Sequence, residues 1–325
     1  MTAEQQEHPS AGEPKMKSIV RGLIGGMLAG AILVGLAWGG YAALRYTRHR
    51  LSRALHEPLK RIVLTHAPGW LSAAILDKLA QEAVNFTVFN SKHPEYGARL
   101  RDPLDGGILK IIAQHYMDHQ SSGENAWIKS IVYVRRAWLP RQQIIEIDAE
   151  YRRPAALLIT QGKGYLLSAS GVRLPGTYLP VDFERLEWLP WLVHTHVSAV
   201  GRGERISSPA VEAGLSLVKL LRPEPWHAQV REIDLSNIGG VVSKTDPEIV
   251  LTTRDGHEVL WGMPPGQEGF YEVPAARKLM MLSEVNRLYG SIDAGQAYVD
   301  VRGDQVLVPR RDRNQPVGAA EQATQ

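Results

Sequence analysis

Hydrophobic residues follow helical spacing in four stretches of the chain. After a turn signal at Pro68-Gly69, apolar residues recur near a 3.6-residue period in GWLSAAILDKLAQEAV and again in LDGGILKIIAQHYMDHQ. Farther on, Ser208 and Pro209 provide a helix start for SPAVEAGLSLVKLL, and Gly290 provides a stop for VPAARKLMMLSEVNRLYG. The pattern therefore predicts two helices in the first half of the chain and two in the second.

Strand-like alternation is clearest on either side of the short segment LPRQ. It predicts that WIKSIVYVRR and QQIIEIDAEY form a hairpin of two half-buried strands. A hairpin centred on residues 140–141 pairs Val134 with Ile147, Val132 with Ala149, Arg135 with Glu146, and Tyr133 with Asp148. The Arg135–Glu146 ion pair is expected to specify register more than stability, since exposed pairs contribute ~0.2–1 kcal/mol. Pro154 cannot donate to a sheet ladder and is expected to end the second strand.

The order of these elements predicts an α+β fold. LKRIVLT, residues 59–65, is expected to be a strand, so the order strand, helix, helix, strand, strand describes one compact unit at residues 57–160. From residue 161 to 309, short strands separated by turns predict a mixed β-rich domain with flanking helices. Residues 310–325 are polar, and a flexible C-terminal tail is expected there.

An uncharged apolar stretch lies near the N-terminus. GLIGGMLAGAILVGLAWGGYAAL, residues 22–44, exceeds the ~20 residues that cross a bilayer as a helix. It predicts a single N-terminal transmembrane helix at residues 21–45, a tail at residues 1–20, and the lipid bilayer as a partner. The alternative is a cleavable signal peptide, whose apolar core is usually about 7–15 residues. More arginines follow the stretch than precede it, which by charge alone favours a cytoplasmic C-terminal part.

Composition restricts the possible functions. The net charge of +3 comes from 37 basic and 34 acidic residues mixed along the chain, which gives weak support for a polyanion. Acidic Glu146, Asp148 and Glu150 lie among the arginines of the hairpin, so no nucleic-acid partner is expected. The chain has no cysteine, which excludes disulfides and a thiolate nucleophile.

The most enzyme-like pattern is HYMDH at residues 115–119. His115 and His119 lie one helical turn apart and could share a metal ion, but Tyr116 replaces the glutamate of an HExxH motif. A solvated helix face is the preferred interpretation, and a metalloenzyme is the alternative. His194 and His196 of HTH would share a side if they lay on a strand. Because no phosphate loop or GxSxG motif occurs either, we expect no enzymatic activity, cofactor or metal site.

The hairpin and the segment after it resemble the FtsQ/DivIB family of bacterial cell-division proteins. The matching residues are Val134, Arg135, Arg136, Trp138, Pro140, Ile145, Ile147, Glu150, Arg152, Pro154 and Ala155, followed by GYLLSASGVRL. GHEVLWG, RKLMMLSEV and AYVDVR are similar to the family's late strand, penultimate helix and terminal strand. The sequence departs from the family by the insertion of Leu139 and by an extended region near residues 85–107.

The resemblance implies a noncatalytic scaffold of the divisome, with a POTRA domain and a β domain. It implies a single-pass protein of the cytoplasmic (inner) membrane at the division septum, with its N-terminus in the cytoplasm and both domains outside it. The implied partners are FtsB/DivIC-like and FtsL-like coiled-coil proteins and other divisome membrane proteins. The alternative is a POTRA-type receptor or chaperone in envelope secretion or assembly.

The resemblance also implies where the partner binds. Carried over onto this chain, the partner-binding terminal strand comprises Tyr298, Val299, Asp300, Val301, Arg302 and Gly303 and extends toward Val308. An edge strand offers unpaired backbone groups to which a partner strand can add by β-augmentation. The outward side chains of Tyr298, Asp300 and Arg302 are expected to select the partner. An ordinary closing strand is the alternative.

Overall fold

The computed structural model describes residues 30–47, 59–88, 92–101, 105–117, 127–139, 142–198 and 201–309. The predicted tails at residues 1–20 and 310–325 lie outside these ranges. The described chain is α+β, with one three-stranded sheet and one seven-stranded sheet.

The predicted transmembrane helix is not found among the described residues. Helix α1 covers the described residues 30–47, which include Arg45, while residues 21–29 of the predicted span lie outside them. Among the described residues, no helix combines the length and the apolar character needed to cross a bilayer. This finding contradicts both the single-pass architecture and the location in the cytoplasmic membrane that was inferred from it.

The part of the chain that contains the first sheet consists of one strand, three helices and a hairpin. The elements are β1 (Leu59–Thr65), α2 (Ala73–Val88), α3 (Glu95–Arg101), α4 (Gly107–Met117), β2 (Ile128–Leu139) and β3 (Gln142–Tyr151). The strand order is β1-β3-β2, with β1 parallel and β2 antiparallel to β3. The spacing predicted α2 and α4, whereas α3 arises inside the extended region near residues 85–107 and was not predicted.

The hairpin register is confirmed for three of the four predicted residue pairs. Val134 lies opposite Ile147, Arg135 opposite Glu146, and Tyr133 opposite Asp148. The fourth pair is wrong, because Ile131 rather than Val132 lies opposite Ala149. The register shifts between residues 131 and 133, so Val132 is the extra residue of a β-bulge and its side chain is exposed.

The second sheet contains seven strands in the order β10-β9-β8-β7-β6-β4-β5. The strands are β4 (Pro154–Thr160), β5 (Lys163–Ser168), β6 (Trp191–Val193), β7 (Val230–Asp234), β8 (Ile249–Thr253), β9 (Glu258–Gly262) and β10 (Tyr298–Asp300). The helices of this part are α5 (Pro180–Phe183), α6 (Pro209–Leu221) and α7 (Ala275–Tyr289). Short 3-10 turns occupy Glu184–Leu186, His227–Gln229 and Ile238–Gly240.

The start and stop signals of the two later helices are confirmed. Pro209 begins α6 immediately after Ser208. Gly290 follows α7 with a φ of 79°, a left-handed conformation that glycine adopts without the steric cost of a Cβ.

Pro154 separates the two sheets. β3 ends at Tyr151, and Pro154 is the first residue of β4, where a missing N–H is tolerated. β4 pairs with β5 and β6, so it belongs to the second sheet, although the boundary predicted at residue 160 would place it with the first.

Two clusters of buried side chains form the interior. The first core cluster includes Ile62, Ile112 and Ile147 of the first sheet and its helices, together with Leu157 and Leu166 of the second sheet. The second core cluster includes Leu158, Val218, Ile233 and Trp261. Since Leu157 and Leu158 are adjacent on β4 and point to opposite faces, this strand contributes to both clusters. The two units therefore share buried surface.

Candidate partner-binding edge

The predicted partner strand lies at an edge of the second sheet. β10 is parallel to β9, which flanks it on one side only. Val299 and Val301 are fully buried, and the backbone N–H of Val301 donates to the carbonyl of Leu260 at 3.3 Å. These two residues attach the strand to the core and are not accessible to a partner's side chains.

The chain turns back along the outer side of β10. Asp300 and Leu307 exchange both backbone hydrogen bonds, at 2.9 and 3.0 Å. We call residues 304–309 the return segment. It was predicted as a continuation of the strand to Val308, although the polar RGDQ between two alternating runs is itself a turn signal. The return segment covers the middle of the predicted edge.

The return segment leaves other backbone groups of this edge open. Successive residues of a strand point their backbone groups to opposite sides, so Tyr298 faces the same way as Asp300. Within the described residues, the backbone groups of Tyr298 on that side have no backbone partner. The N–H groups of Val306 and Val308 have none there either. Pro309, which continues the antiparallel register opposite Tyr298, has no N–H to donate. Backbone donors and acceptors therefore remain on this edge for a further strand.

Asp300 and Arg302 bind each other. The Arg302 guanidinium donates from Nε and Nη2 to the Asp300 carboxylate at 3.0 and 2.7 Å, and the Arg302 backbone N–H donates at 3.0 Å. Burial alone would raise the pKa of Asp300, but the hydrogen bonds and charge of Arg302 outweigh it and hold that pKa below its usual value. The hydrogen bond to Asp300 likewise raises the pKa of Arg302. Both side chains are thus used in shaping the end of the strand.

A buried lysine lies behind this ion pair. Lys278 of α7 is fully buried, donates to the carbonyl of Trp261 at 2.7 Å and to the carboxylate of Glu272, and lies 4.9 Å from the centre of the Trp261 ring. Burial lowers the pKa of Lys278, and the hydrogen bond to Glu272 opposes that effect. Val273, which follows Glu272 in the chain, donates its backbone N–H to the carbonyl of Arg302 at 2.9 Å. The network therefore fixes the end of β10 before any partner binds.

Exposed apolar side chains surround the edge. Tyr298 is 42% exposed and Leu307 is 62% exposed, and Met280, Leu288 and Tyr289 of α7 are more than half exposed. A groove of about 580 Å³ runs between α7 and the return segment. Leu288 belongs to the apolar stripe that predicted α7, but its exposure was not predictable from spacing alone. Such a surface suits a protein partner better than a small polar ligand.

The other predicted residues lie elsewhere. Arg135 donates to Glu146 at 2.5 Å on the exposed face of the first sheet, whereas the partner edge belongs to the second sheet. Gly303 is exposed in the turn before the return segment. The structure therefore does not bring the hairpin residues and the edge residues into one site.

The histidine patterns do not form a metal site in the described part of the chain. The side chain of His115 and the whole of His119 lie outside the described residues. β6 ends at Val193, so His194 and His196 follow the strand instead of lying on it, and both have positive φ. His194 Nδ1 is 2.9 Å from the carboxylate of Asp234. No group of three or more histidines and carboxylates is placed to hold a metal among the described residues.

Comparison with known proteins does not add a family. The chain matches no protein-family model, and a search of curated proteins finds no significant match. Functional interpretation therefore depends on the sequence motifs and on the geometry of the edge.

Proposed function

We propose that this chain is a noncatalytic scaffold of the bacterial divisome, similar in role to the FtsQ/DivIB proteins. Its site is the edge formed by Tyr298 and the return segment, and its partner is an FtsB/DivIC-like protein in complex with an FtsL-like protein. The partner contributes a strand that pairs with the open backbone groups of this edge. The single observation that carries the proposal is this partly open, rigidly held edge beside an apolar groove.

The order of elements along the chain supports the proposal. A strand, helices and a hairpin follow one another as the sequence predicted for the POTRA-like unit, and a β-rich unit comes directly after them.

The edge supplies both affinity and selectivity for a strand. Backbone hydrogen bonds to Val306 and Val308, whose N–H groups point away from β10, would fix the register of the added strand. Tyr298 and Leu307 provide exposed apolar side chains beside it. Met280 and Leu288 of α7 line the groove, and an apolar face of the same partner would pack against them.

Removal of single backbone donors tests the proposal. Val306→Pro removes an outward N–H while keeping an apolar side chain, and we expect it to weaken binding of the purified FtsB/DivIC-like protein by about tenfold or more. Val308→Pro removes the next N–H on the same side of the return segment and should weaken binding as well. Affinity is measured by titration calorimetry, and circular dichroism checks the fold.

Matched variants separate backbone from side-chain effects. Val306→Ala and Val308→Ala keep the N–H groups, so each should bind more tightly than the corresponding proline variant. Substitutions at Val301 or Arg302 are poor tests, because Val301 is buried and Arg302 is ion-paired with Asp300. Unchanged affinity in both proline variants would exclude this edge as the binding site.

A second candidate function is favoured by the opposite end of the molecule. β1 is an edge strand of the first sheet, and a groove of about 390 Å³ between β1 and α2 is lined by Leu64, Leu76 and Val84. An extended client segment could add to this edge, as the POTRA-type receptor alternative requires. Photo-crosslinking distinguishes the two functions. Crosslinks from position 307 to a coiled-coil protein support the scaffold, whereas crosslinks from position 63 to many unrelated proteins support the receptor.

A further inference from the structure

A cavity of about 150 Å³ lies where the two core clusters meet. Leu189 on its wall belongs to the first core cluster, and Val218, Leu221 and Val230 belong to the second. An apolar cavity of about this volume can hold a benzene-sized group. The inside of the cavity therefore suits a ring or a short alkyl chain.

The rim of the cavity is basic. Arg222, His227 and Arg254 line it, and no carboxylate does. Arg222 is exposed and makes no ion pair within the described residues. His227 donates from Nδ1 to the carbonyl of Glu224 at 2.7 Å, which fixes its ring beside the opening. The charge at the opening thus favours an anionic group next to the apolar interior.

Arg254 holds the rim in shape. Its Nε donates to the carbonyl of Ala228 at 2.5 Å, and its Nη2 donates to the carbonyl of Glu187. The third guanidinium nitrogen, Nη1, lies 3.5 Å from the Glu187 carboxylate. One side chain therefore ties together the two segments that border the opening. Trp188, next to Glu187, is 56% exposed and forms part of the lining.

We propose that this cavity binds a small apolar monocarboxylate. The ring or alkyl chain occupies the space beside Ala155, Leu189 and Val218, and the carboxylate is bound by the guanidinium of Arg222. An arginine and a carboxylate form charge-assisted hydrogen bonds that neutral groups do not match. The site is separate from the terminal edge and does not depend on the proposed scaffold function.

The test uses 3-phenylpropionate and its uncharged amide as probes. Titration calorimetry of the full chain near neutral pH is expected to show that the acid binds at least about tenfold more tightly than the amide. Arg222→Gln should abolish that preference while leaving amide binding unchanged. The control Arg277→Gln changes an exposed arginine on α7 that does not line the cavity, and it should bind both probes like the wild type.

Filling the cavity tests the apolar part. Val218→Trp is expected to abolish binding of both probes. If that variant is not folded by circular dichroism, Ala155→Leu on another part of the wall provides the same test with a smaller change. Equal affinity for acid and amide in the wild type would overturn the proposal. So would wild-type binding in the folded cavity-filling variant, or no binding at about 10 mM probe.

Discussion

Buried polar side chains fix the loops of the second sheet residue by residue. Asn237 is buried and accepts the N–H groups of Val242 and Ser243 while donating to the carbonyls of Ser243, Asp246 and Pro247. Lys278 and Glu272 hold the loop beside β10 in a similar way. Because unsatisfied buried groups carry a large desolvation cost, each of these side chains makes its loop conformation strongly preferred.

The lysine network predicts coupled stability effects. Lys278→Met leaves the Trp261 carbonyl and the largely buried Glu272 carboxylate without their partner, so we expect the free energy of unfolding to fall by about 3 kcal/mol. Adding Glu272→Gln to Lys278→Met should cost less than the Glu272→Gln change costs alone. Urea unfolding of the single and double variants measures this.

An exposed neighbour provides the control for the lysine experiment. Arg277→Met alters the adjacent residue on the exposed side of α7, and the free energy of unfolding should change by less than about 0.5 kcal/mol. Strictly additive costs for Lys278→Met and Glu272→Gln would show that the two side chains are not coupled.

Asp293 predicts a pH dependence of stability. Asp293 is 1% exposed and accepts hydrogen bonds from Ser291, Thr253 and the backbone of Gly295. Burial acts to raise its pKa, but these hydrogen bonds outweigh burial and lower it. A lowered carboxyl pKa stabilises the fold above the unfolded-state pKa of about 3.9 and loses that contribution as pH falls through the folded-state value.

The test compares Asp293→Asn with the wild type. The variant should be less stable by about 2 kcal/mol near neutral pH, and the difference should shrink as pH falls below about 4. Urea unfolding across this pH range measures it. Asp255→Asn, at an exposed turn position, is the control and should show little difference at any pH. A constant difference for Asp293→Asn down to about pH 3 would contradict the prediction.

Sequence periodicity predicted individual elements well where one face of an element is buried. The apolar stripes of α2, α4, α6 and α7 predicted these four helices. The alternation of residues in β2 and β3 predicted most of the hairpin register. The bulge at Val132 was missed because Ile131 and Val132 are both apolar, so alternation alone did not show which one faces the core.

The return segment was missed for a different reason. Apolar residues continue on both sides of the RGDQ turn, so alternation alone predicts one continuous strand and does not show that Asp300 pairs with Leu307. Burial of Val299 and Val301 followed from alternation, but the Asp300–Arg302 ion pair could not be predicted from residue types. The sequence thus predicted which strand forms the candidate site. It did not predict that Tyr298 and the return segment are the parts of this edge that a partner can reach.

The two neighbouring arginines of the hairpin, Arg135 and Arg136, are expected to contribute differently to the stability of the fold. Arg135 pairs with Glu146 on an exposed surface, so Arg135→Ala should lower the free energy of unfolding by less than about 1 kcal/mol. Arg136 donates from Nη2 to the carbonyl of Asp105 at 3.0 Å and is partly buried, so Arg136→Ala should cost about 2 kcal/mol. Thermal or urea unfolding compares them directly. Equal losses would show that the contact with Asp105 contributes nothing beyond surface pairing.

The two units of the molecule are not independent, because they share β4. The first core cluster contains Leu157, Leu166, Leu174, Phe183 and Leu186 from the chain after Pro154. A first unit separated from these residues would expose the apolar surface they cover, including part of the surroundings of Trp127. The whole molecule is therefore expected to unfold as one cooperative system.

Truncation and core mutation test this coupling. A fragment of residues 57–153 should fail to show a cooperative thermal transition, while the full chain should. Leu157→Ala should destabilise the full chain by about 3 kcal/mol without splitting its transition. Ala73→Gly, on the first sheet's own helix, is a control that changes local helix stability by about 1 kcal/mol. A well-folded fragment would show that the first core is sufficient on its own.

The return segment also determines where a shortened chain can safely end. A recombinant protein that stops at Gly303 would lack Leu307 and would leave Asp300 with two unsatisfied backbone groups at the edge of the second sheet. Edges of that kind recruit strands from other copies and lead to aggregation in concentrated solution. A protein that stops at Pro309 keeps the last pairing, and it is the shorter form to choose for crystallisation and for storage.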